Sequence, residues 1–390
     1  MVSEIRPEDA TDLCEVGMMK TISIWGATGV IGTKALKIAI QSGYKVVAIV
    51  GNTNHKLLIE QAKTAHPEYV GVAEKTAYKQ VRDAVSSNGI KVLSESGFNE
   101  IATLDVDCCV MAISGHASLM PTFKCLGHAK RLAIATKEAI ISGGKLLQDL
   151  AKQKGTEIIP IDSEHNSIFQ CLQGENTRNV NELIITASGG AFANLEEAEL
   201  KNVTVKDALK HPNWNMGIKN TVDSATLINK ALEIIEASYL FDMDVSKIKA
   251  VIHPNSIIHA MVKFSDNSYK TLMSYPDMNL PIAYAINYPN RVECELPALN
   301  FEQIGALHFK KPKEWQKRNI DLAYYAVTAD KPIAFNIANE IAVTKFIHGE
   351  IKFDQIYDFI YDVLARSPEE NVKSYEDICA AVEAIRAKNG

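Results

Sequence analysis

Residues 26–32 read Gly-Ala-Thr-Gly-Val-Ile-Gly, and they constrain the fold of this chain more than any other segment. Residues 21–25 before them form a short apolar segment typical of a buried strand, and apolar side chains recur at helical spacing after them as far as Ile40. A glycine-rich turn between a strand and a helix lets the backbone approach a pyrophosphate, whose charge then lies at the helix N-terminus. We therefore expect a dinucleotide-binding unit here, the alternative being a plain tight turn.

Two further features of the N-terminal part extend this prediction. Segments 45–50, 107–113 and 131–135 are apolar and alternate with helical patterns, as in a parallel sheet. The residues after the first of them include no Asp or Glu, the side chains that bind the ribose 2′-hydroxyl in NAD-dependent domains of this type. They are Asn52, Thr53, Asn54, His55 and Lys56. NADPH is therefore favoured over NADH, unless these polar residues only solvate a loop.

The stretch 161–169 carries the strongest chemical signal. Asp162 and Glu164 lie two residues apart after an apolar segment, 157–161, that we predict to be a strand. In extended backbone both carboxylates would point to one side and Ser163 away from it. Ligands of open α/β sheets bind beyond strand carboxyl ends, and Mg²⁺ and Mn²⁺ prefer such oxygens. The pattern favours a metal site over a solvated turn.

Two other segments could contact a substrate. Lys137 follows the predicted strand 131–135, where it can hydrogen-bond a hydroxyl or polarise a carbonyl, although taken alone it is typical of a surface lysine. Ser188 precedes Gly189 and Gly190, a sequence that suits an oxyanion nest as well as a glycine turn.

A predicted helix supplies the remaining polar groups. Asp223 or Ser224 can cap it, and Asn229, Lys230 and Glu233 then fall in one sector beside its apolar stripe. With Ser188 and Ser224, the residues Asn229 and Lys230 would make a shell for a phosphate monoester. Glu233 would then be available as a third carboxylate for the metal. The alternative is that Lys230 and Glu233 form an ordinary surface ion pair.

Residues 204–218 combine polar, aromatic and helix-breaking residues, including the run His-Pro-Asn-Trp-Asn-Met-Gly at 211–217. We expect a lid that closes over a ligand and expels water, rather than a loop whose Trp214 belongs to the core. Farther along, 251–262 and 263–275 are predicted strands, and the prolines from 276 to 312 predict a long connection that ends near residue 315.

Composition narrows the class of protein. With 390 residues the chain is long enough for two or three domains, and its net charge of −6 argues against a nucleic-acid or membrane-surface binder. No run of 18 apolar residues is present, and residues 1–18 resemble neither a signal nor a transit peptide. The cysteines, at 14, 108, 109, 125, 171, 294 and 379, lack metal-site spacing, which predicts a cytoplasmic protein without zinc.

We therefore predict an α/β protein with three folded parts. They are a Rossmann-like NADPH-binding domain at 19–160, an α+β catalytic domain at 161–287 and a helical C-terminal domain at 316–390. An extension at 1–18 and a linker at 288–315 complete the division.

The ordered motifs GATGVIGT, ATKEA, IDSEHNSIFQ, TASGGAF, HPNWNMG, VDSATLINKALE, HPNSIIH, YPDM and NIANE resemble the 1-deoxy-D-xylulose 5-phosphate reductoisomerase family. The resemblance covers almost all of residues 20–390. It implies an NADPH-dependent and Mg²⁺- or Mn²⁺-dependent enzyme, a homodimer, that converts this sugar phosphate to 2-C-methyl-D-erythritol 4-phosphate on the non-mevalonate route to isoprenoids.

The resemblance also implies roles for individual residues. Asp162, Glu164 and Glu233 match the metal ligands and, with Lys137, the catalytic residues. Glu164 and Glu233 also match substrate contacts. The other matching substrate contacts are Ser163, Ser188, His211, Trp214, Met216, Ser224, Asn229 and Lys230. The matching NADPH contacts are Thr28, Gly29, Val30, Ile31, Asn54, Glu138 and Gly217, to which we add Asn52, Thr53 and Thr136, where this chain departs from common family residues.

Two other functions share parts of the pattern. A semialdehyde dehydrogenase has the same glycine turn, but its acylating members need a reactive cysteine, and no cysteine here lies in a glycine-rich nucleophile setting. A non-catalytic NADP sensor has no use for three carboxylates, a lysine and a phosphate shell.

Overall fold

A computed structural model of the chain describes residues 19–210 and 217–390. Its N-terminal sheet has seven strands: β1 (Thr21–Trp25), β2 (Lys45–Gly51), β3 (Tyr69–Val72), β4 (Lys91–Ser94), β5 (Val106–Met111), β6 (Ala129–Ile134) and β7 (Glu157–Pro160). They lie in the order β4-β3-β2-β1-β5-β6-β7, and all neighbours are parallel, which confirms the predicted sheet. The strand order reverses beside β1, so its carboxyl end marks the place where open α/β sheets bind ligands.

Helices cover this sheet on both faces: α1 (Val30–Gln41), α2 (His55–Ala65), α3 (Lys75–Val85), α4 (Phe98–Ala102), α5 (Leu119–Lys124) and α6 (Lys137–Lys154). Because alternate residues of a strand point to opposite faces, Ile22 and Ile24 of β1 pack into one apolar cluster and Trp25 into another. Strands β3 and β4 were not predicted, since four residues each are too few to give a recognisable apolar run.

The middle of the chain builds a second sheet, of four strands. Its elements are α7 (Ser163–Leu172), β8 (Val180–Ala187), α8 (Val205–Ala208), α9 (Ile218–Thr226), α10 (Ile228–Leu240), β9 (Ile248–Ile252), β10 (Ile258–Phe264), β11 (Tyr269–Met273) and α11 (Asn279–Asn287). The strand order is β11-β10-β8-β9, with β8 and β9 parallel and β10 antiparallel to both of its neighbours.

The C-terminal part is helical, as predicted. Helix α12 (Phe301–Ile304) lies within the predicted linker, where no helix was expected. The C-terminal part contains α13 (Glu314–Thr328), α14 (Pro332–Ile347), α15 (Ile356–Arg366) and α16 (Tyr375–Asn389). Helix α14 is buried along most of its length and contacts α6, α9 and α10, so the C-terminal helices pack directly behind the elements that carry the predicted site residues. Within residues 19–210 and 217–390, no helix is both long and apolar enough to cross a bilayer.

Three predicted segments differ from the structure. The predicted strand 251–262 is two strands, β9 and β10, because Pro254 has no N–H for a ladder and Ser256 has a φ of 53°. The predicted strand 263–275 contains a hairpin turn at Asn267, where φ is 66°. The predicted connection after residue 276 contains helix α11, whose first turn accommodates Pro281.

Candidate active site

A cleft of about 210 Å³ lies where the carboxyl ends of β1, β5, β6 and β7 meet α9 and α10. It is lined by these predicted site residues: Val30, Ile31, Thr136, Lys137, Glu138, Asp162, Ser163, Glu164, Ser188, Gly217, Ser224, Asn229, Lys230 and Glu233. Thr28, Gly29, Asn52, Thr53 and Asn54 are not part of the lining. His211, Trp214 and Met216 lie outside the described residues.

Three carboxylates meet at the floor of this cleft. One oxygen each from Asp162, Glu164 and Glu233 lies within 4.8 Å of the others. The expectation that Asp162 and Glu164 lie in extended backbone is wrong, since α7 begins at Ser163, directly after Asp162. Acidic residues are favourable in a first helical turn, where they face the positive end of the helix dipole. The two carboxylates therefore converge through the turn of a helix, and the Ser163 hydroxyl donates to Glu164 instead of pointing away.

The predicted helix capped by Asp223 or Ser224 is also different. Both residues lie inside α9, and a left-handed Leu227 with φ 63° separates α9 from α10. Asp223 is fully buried, accepting from Lys219 Nζ at 2.8 Å and from Asn339 Nδ2 at 2.9 Å, so it fixes α9 and does not cap a helix. The break gives α10 its own direction towards the carboxylates.

Helix α10 presents its polar residues as a group, as the helical spacing predicted. Asn229 and Lys230 both donate to the Glu233 carboxylate, and Lys230 Nζ also donates to Glu164 Oε1 at 2.6 Å. Lys230 is 4 % exposed and Glu233 is 1 % exposed, which excludes the alternative of a surface ion pair. Lys137 completes the group: its ammonium donates to Asp162 and lies 3.8 Å from Glu233.

The electrostatics of the carboxylates follow from these contacts. Burial alone would raise the pKa of Glu164, but Lys230 and the Ser163 hydroxyl lower it to about 2. The pKa of Glu233 is raised, chiefly by burial and then by the neighbouring Glu164. When all four nearby carboxylates, including Glu236, are ionised and His165 is neutral, the described cations that pair with them are the ammonium groups of Lys137 and Lys230. The cluster then carries two excess negative charges, which suits one divalent cation.

The opposite wall of the cleft belongs to the glycine turn. Gly29 precedes α1 without a side-chain cap, so the first N–H groups of α1 have no side-chain acceptor there. A Cβ on Gly32 would lie 2.1 Å from the carbonyl oxygen of Gly26, so only glycine allows this close crossing of turn and helix. The arrangement leaves backbone donors facing the cleft beside Val30 and Ile31.

A second close backbone contact brings the two predicted phosphate-binding serines together. Gly190 has a φ of 71°, and a Cβ there would lie 2.3 Å from the carbonyl oxygen of Ser224. The loop after β8 therefore packs against the backbone of α9, and Ser188 and Ser224 both line the cleft.

Some lining residues were not predicted. Lys219 lies 3.6 Å from Glu138 Oε1, and burial would lower its pKa, but the nearby Asp223 and Glu138 raise it. Its spacing of four from Asp223 on one helix was the available signal. Ser256 and Met278 also line the cleft, but neither has a sequence pattern that indicates chemistry.

Comparison with known proteins agrees with this geometry. Residues 22–144 match the family model described as 1-deoxy-D-xylulose 5-phosphate reductoisomerase. Residues 158–241 match the model of the C-terminal domain of that enzyme, and residues 273–388 match the model described as DXP reductoisomerase C-terminal domain.

Individual relatives are similar over nearly their whole length. The chain is 42% identical over 361 residues to 1-deoxy-D-xylulose 5-phosphate reductoisomerase 1 of Bacillus cereus, covering 91% of this chain and 93% of that protein. It is 38% identical over 377 residues to the reductoisomerase of Clostridium novyi, covering 95% and 98%.

Solved structures give the same result. The reductoisomerase of Zymomonas mobilis in complex with NADPH superposes with a TM-score of 0.90 at 33% identity, covering 95% of this chain and 98% of that one. A DOX-P reductoisomerase in complex with NADPH, fosmidomycin and magnesium has a TM-score of 0.89 at 35% identity, covering 95% and 97%. The chain therefore belongs to the 1-deoxy-D-xylulose 5-phosphate reductoisomerase family.

Proposed function

We propose that this protein catalyses the NADPH- and divalent-metal-dependent conversion of 1-deoxy-D-xylulose 5-phosphate to 2-C-methyl-D-erythritol 4-phosphate. The observation that carries the proposal is the convergence of Asp162 and Glu164, at the start of α7, with Glu233 of α10 within 4.8 Å, in a cleft whose other wall is the N-terminus of α1. Proteins that bear the name of this enzyme are similar to this chain over nearly its full length.

The donor set fits a hard divalent cation. Carboxylate oxygens are the ligands that Mg²⁺ and Mn²⁺ prefer, and the excess negative charge of the cluster equals the charge of one such ion. Asp162, Glu164 and Glu233 would hold the ion. When bound, it supplies Lewis acidity that stabilises negative charge on substrate oxygens.

The wall formed by the glycine turn fits the pyrophosphate of a dinucleotide, because the uncapped N-terminus of α1 offers backbone donors and no obstructing side chain. NADPH supplies the hydride for the reduction. Val30, Ile31, Thr136, Glu138 and Gly217 line the path between this wall and the carboxylates, and they would contact the cofactor. Thr28, Gly29, Asn52, Thr53 and Asn54 would contact its more distant parts, although the Asn54 side chain also caps α2 by accepting from Leu57 N.

The substrate would be anchored at its phosphate and activated at its carbonyl end. Ser188, Ser224, Asn229 and Lys230 would bind the phosphate, because hydroxyls, an amide and an ammonium donate well to its oxygens. Ser163 would bond a substrate hydroxyl. Lys137 would hold a positive charge beside the oxygen on which negative charge develops during rearrangement of the carbon skeleton. The resulting branched aldehyde phosphate then takes a hydride and a proton.

The segment 204–218, with His211, Trp214 and Met216, would act as the lid. Binding of the phosphate far from the reacting carbons can supply the energy that closes such a lid and expels water. Helix α9 begins at Ile218, the last residue of this segment, and its Lys219 pairs with Glu138. Closure of the lid would therefore also affect Glu138, one of the proposed NADPH contacts.

The test is a spectrophotometric assay of NADPH oxidation. Purified protein is mixed with 1-deoxy-D-xylulose 5-phosphate and either NADPH or NADH, with Mn²⁺, with EDTA, and with EDTA followed by excess Mn²⁺. We expect oxidation that needs both the sugar phosphate and the metal, is faster with NADPH and returns when Mn²⁺ is restored. Oxidation of equal rate without the sugar phosphate or in EDTA would exclude the proposed reaction.

We also propose a cytoplasmic homodimer with the division 19–160, 161–287 and 316–390. The cytoplasmic location is supported by the described cysteines, which are all free thiols, as in a reducing compartment. The division is supported by the seven-stranded sheet, which ends with β7 at Pro160, and by the second sheet, whose strands all lie between Val180 and Met273. Light scattering after gel filtration measures the oligomeric state, and limited proteolysis tests for cleavage between the parts.

A further inference from the structure

Two buried polar side chains behind the carboxylates have no part in the mechanism described above. Glu236 is 1 % exposed and His165 is 0 % exposed. Among residues 19–210 and 217–390, Glu236 Oε2 and His165 Nδ1 have no hydrogen-bond partner. The two atoms lie 3.9 Å apart, and Nδ1 lies 3.4 Å from Asp162 Oδ2. Such groups are unfavourable in a protein interior unless something with a proton or a positive charge comes between them.

The tautomer of His165 makes this requirement specific. Its Nε2 lies 2.8 Å from the backbone carbonyl oxygen of Glu233, which can only accept, so Nε2 carries the proton. In the neutral ring Nδ1 is then an acceptor. Two acceptors, the imidazole nitrogen and the Glu236 carboxylate, therefore face the same small space, and that space suits a donor with positive charge.

The Lys137 ammonium lies next to this space. It donates to Asp162 in this structure, and it is 3.5 Å from Glu236 Oε2. Burial would by itself lower the pKa of Lys137, but the carboxylates around it raise it, with Glu236 the largest contributor. A small side-chain rotation would move the ammonium from Asp162 to Glu236.

We propose that Glu236, together with His165, is a positioning site for Lys137. A divalent ion bound by Asp162 would compete with the ammonium for the same carboxylate, so Lys137 would move to Glu236 and stay beside the substrate. This inference rests on the proposed function. Glu236 acts through Lys137 and is therefore a positioning residue, not a catalytic one.

The same residues allow a different occupant, a second metal ion. Asp162, His165 and Glu236 also offer three ligand atoms within 4.8 Å of one another. Charge argues against it: a single divalent ion already balances the four carboxylates and two ammonium groups, and a second would leave an excess of buried positive charge. The Lys137 ammonium is a cation that already lies beside Asp162 and 3.5 Å from Glu236 Oε2.

The test compares wild type with Glu236→Gln, which keeps the size of the side chain and removes its charge. Glu236→Asp keeps the charge. Glu182→Gln is the matched control, because Glu182 also pairs with lysines, at 2.6 Å from Lys249 and 3.4 Å from Lys263, but neither of these lysines lines the cleft, whereas Lys137 does. Three experiments are done on each protein. Calorimetry gives the Mn²⁺ stoichiometry, peptide mass spectrometry gives the acetylation of Lys137 at one fixed pH with and without Mn²⁺, and steady-state kinetics give kcat and KM.

We expect one Mn²⁺ per chain in all four proteins. In Glu236→Gln, Mn²⁺ should increase acetylation of Lys137 by about tenfold, because the ammonium has lost both carboxylates. Wild type, Glu236→Asp and Glu182→Gln should show little increase. The kcat of Glu236→Gln should fall by about 10- to 100-fold, with KM for the sugar phosphate nearly unchanged.

Two results would overturn the inference. One is two Mn²⁺ per wild-type chain and one in Glu236→Gln, which would make Glu236 a ligand of a second ion. The other is a Glu236→Gln protein in which kcat and the metal dependence of Lys137 acetylation are both those of wild type. If wild type itself does not turn over the sugar phosphate, the proposed function fails, while the stoichiometry and acetylation measurements still decide the role of Glu236.

Discussion

Lys230 offers the most direct test of the charge balance in the cleft, because its ammonium contacts two buried carboxylates. It donates to Glu164 Oε1 at 2.6 Å and to Glu233, and all three side chains are at most 15 % exposed. The substitution Lys230→Met keeps most of the apolar stem and removes the charge. It leaves two neighbouring carboxylates without their shared cation.

The expected magnitude follows from burial. Removing one partner of a buried ion pair typically lowers the free energy of unfolding by about 3–5 kcal/mol, because an uncompensated charge stays buried. For Lys230→Met in EDTA we expect a loss in this range. A divalent ion bound to the same carboxylates restores positive charge, so Mn²⁺ should stabilise the variant more than it stabilises wild type.

The assay is urea unfolding followed by circular dichroism, in EDTA and in saturating Mn²⁺. Lys317→Met is the matched control: Lys317 Nζ lies 2.5 Å from Asp321 Oδ2, but both side chains are exposed, so a loss of about 1 kcal/mol or less is expected, independent of Mn²⁺. If Lys230→Met loses no more stability than Lys317→Met, or loses the same amount in Mn²⁺ as in EDTA, then Lys230 does not balance carboxylates that also bind the metal.

Three further predictions test other parts of the site. Glu233→Gln should weaken Mn²⁺ binding, measured by calorimetry, and abolish most metal-dependent turnover; turnover near the wild-type rate would exclude Glu233 as the third ligand. Gly32→Ala should prevent NADPH binding, measured by fluorescence titration, because its Cβ would lie 2.1 Å from a backbone oxygen. Unchanged NADPH affinity would show that the turn can relax. Because Lys230 and Ser163 hold the pKa of Glu164 at about 2, below the ordinary value of 4.5, its ionised form stabilises the fold fully above about pH 4.5. That contribution should decline as the pH falls towards 2, and urea unfolding of wild type and Glu164→Gln at pH 7 and pH 3 should show a smaller difference at pH 3.

Sequence patterns predicted those features of the fold that depend on interactions between residues close together in the chain. The glycine turn at residues 26–32 indicated β1 and α1, because a strand, a tight turn and a helix each have a recognisable pattern in their own residues. The spacing of Asn229, Lys230 and Glu233 predicted one polar face, and the structure has it, since a helix fixes the relation of residues three and four apart.

Relations between distant segments could not be predicted in this way. Leucine is not a residue type that indicates a turn, yet the left-handed backbone of Leu227 ends α9 and changes the direction of the chain before α10. Packing here outweighs the intrinsic preference of leucine for a negative φ. Glu236 lies in the apolar run Ile-Ile-Glu-Ala, where the pattern alone marks only a buried helix. That it faces Lys137 and His165 depends on how α10 packs against α6 and α7, which no local pattern contains.

The two lysines explain how a cleft with so many buried carboxylates can be stable and still bind a cation. Lys137 and Lys230 donate to the three carboxylates that converge in the cleft, so the protein balances part of the charge with its own side chains. Any metal ion at this site must compete with ammonium groups for oxygen atoms, which weakens binding relative to free carboxylates. Under the proposed function, the displaced ammonium groups would stay at the edge of the metal site, close to the substrate oxygens and phosphate. The same competition would then both limit metal affinity and place two cations where the proposed reaction uses them.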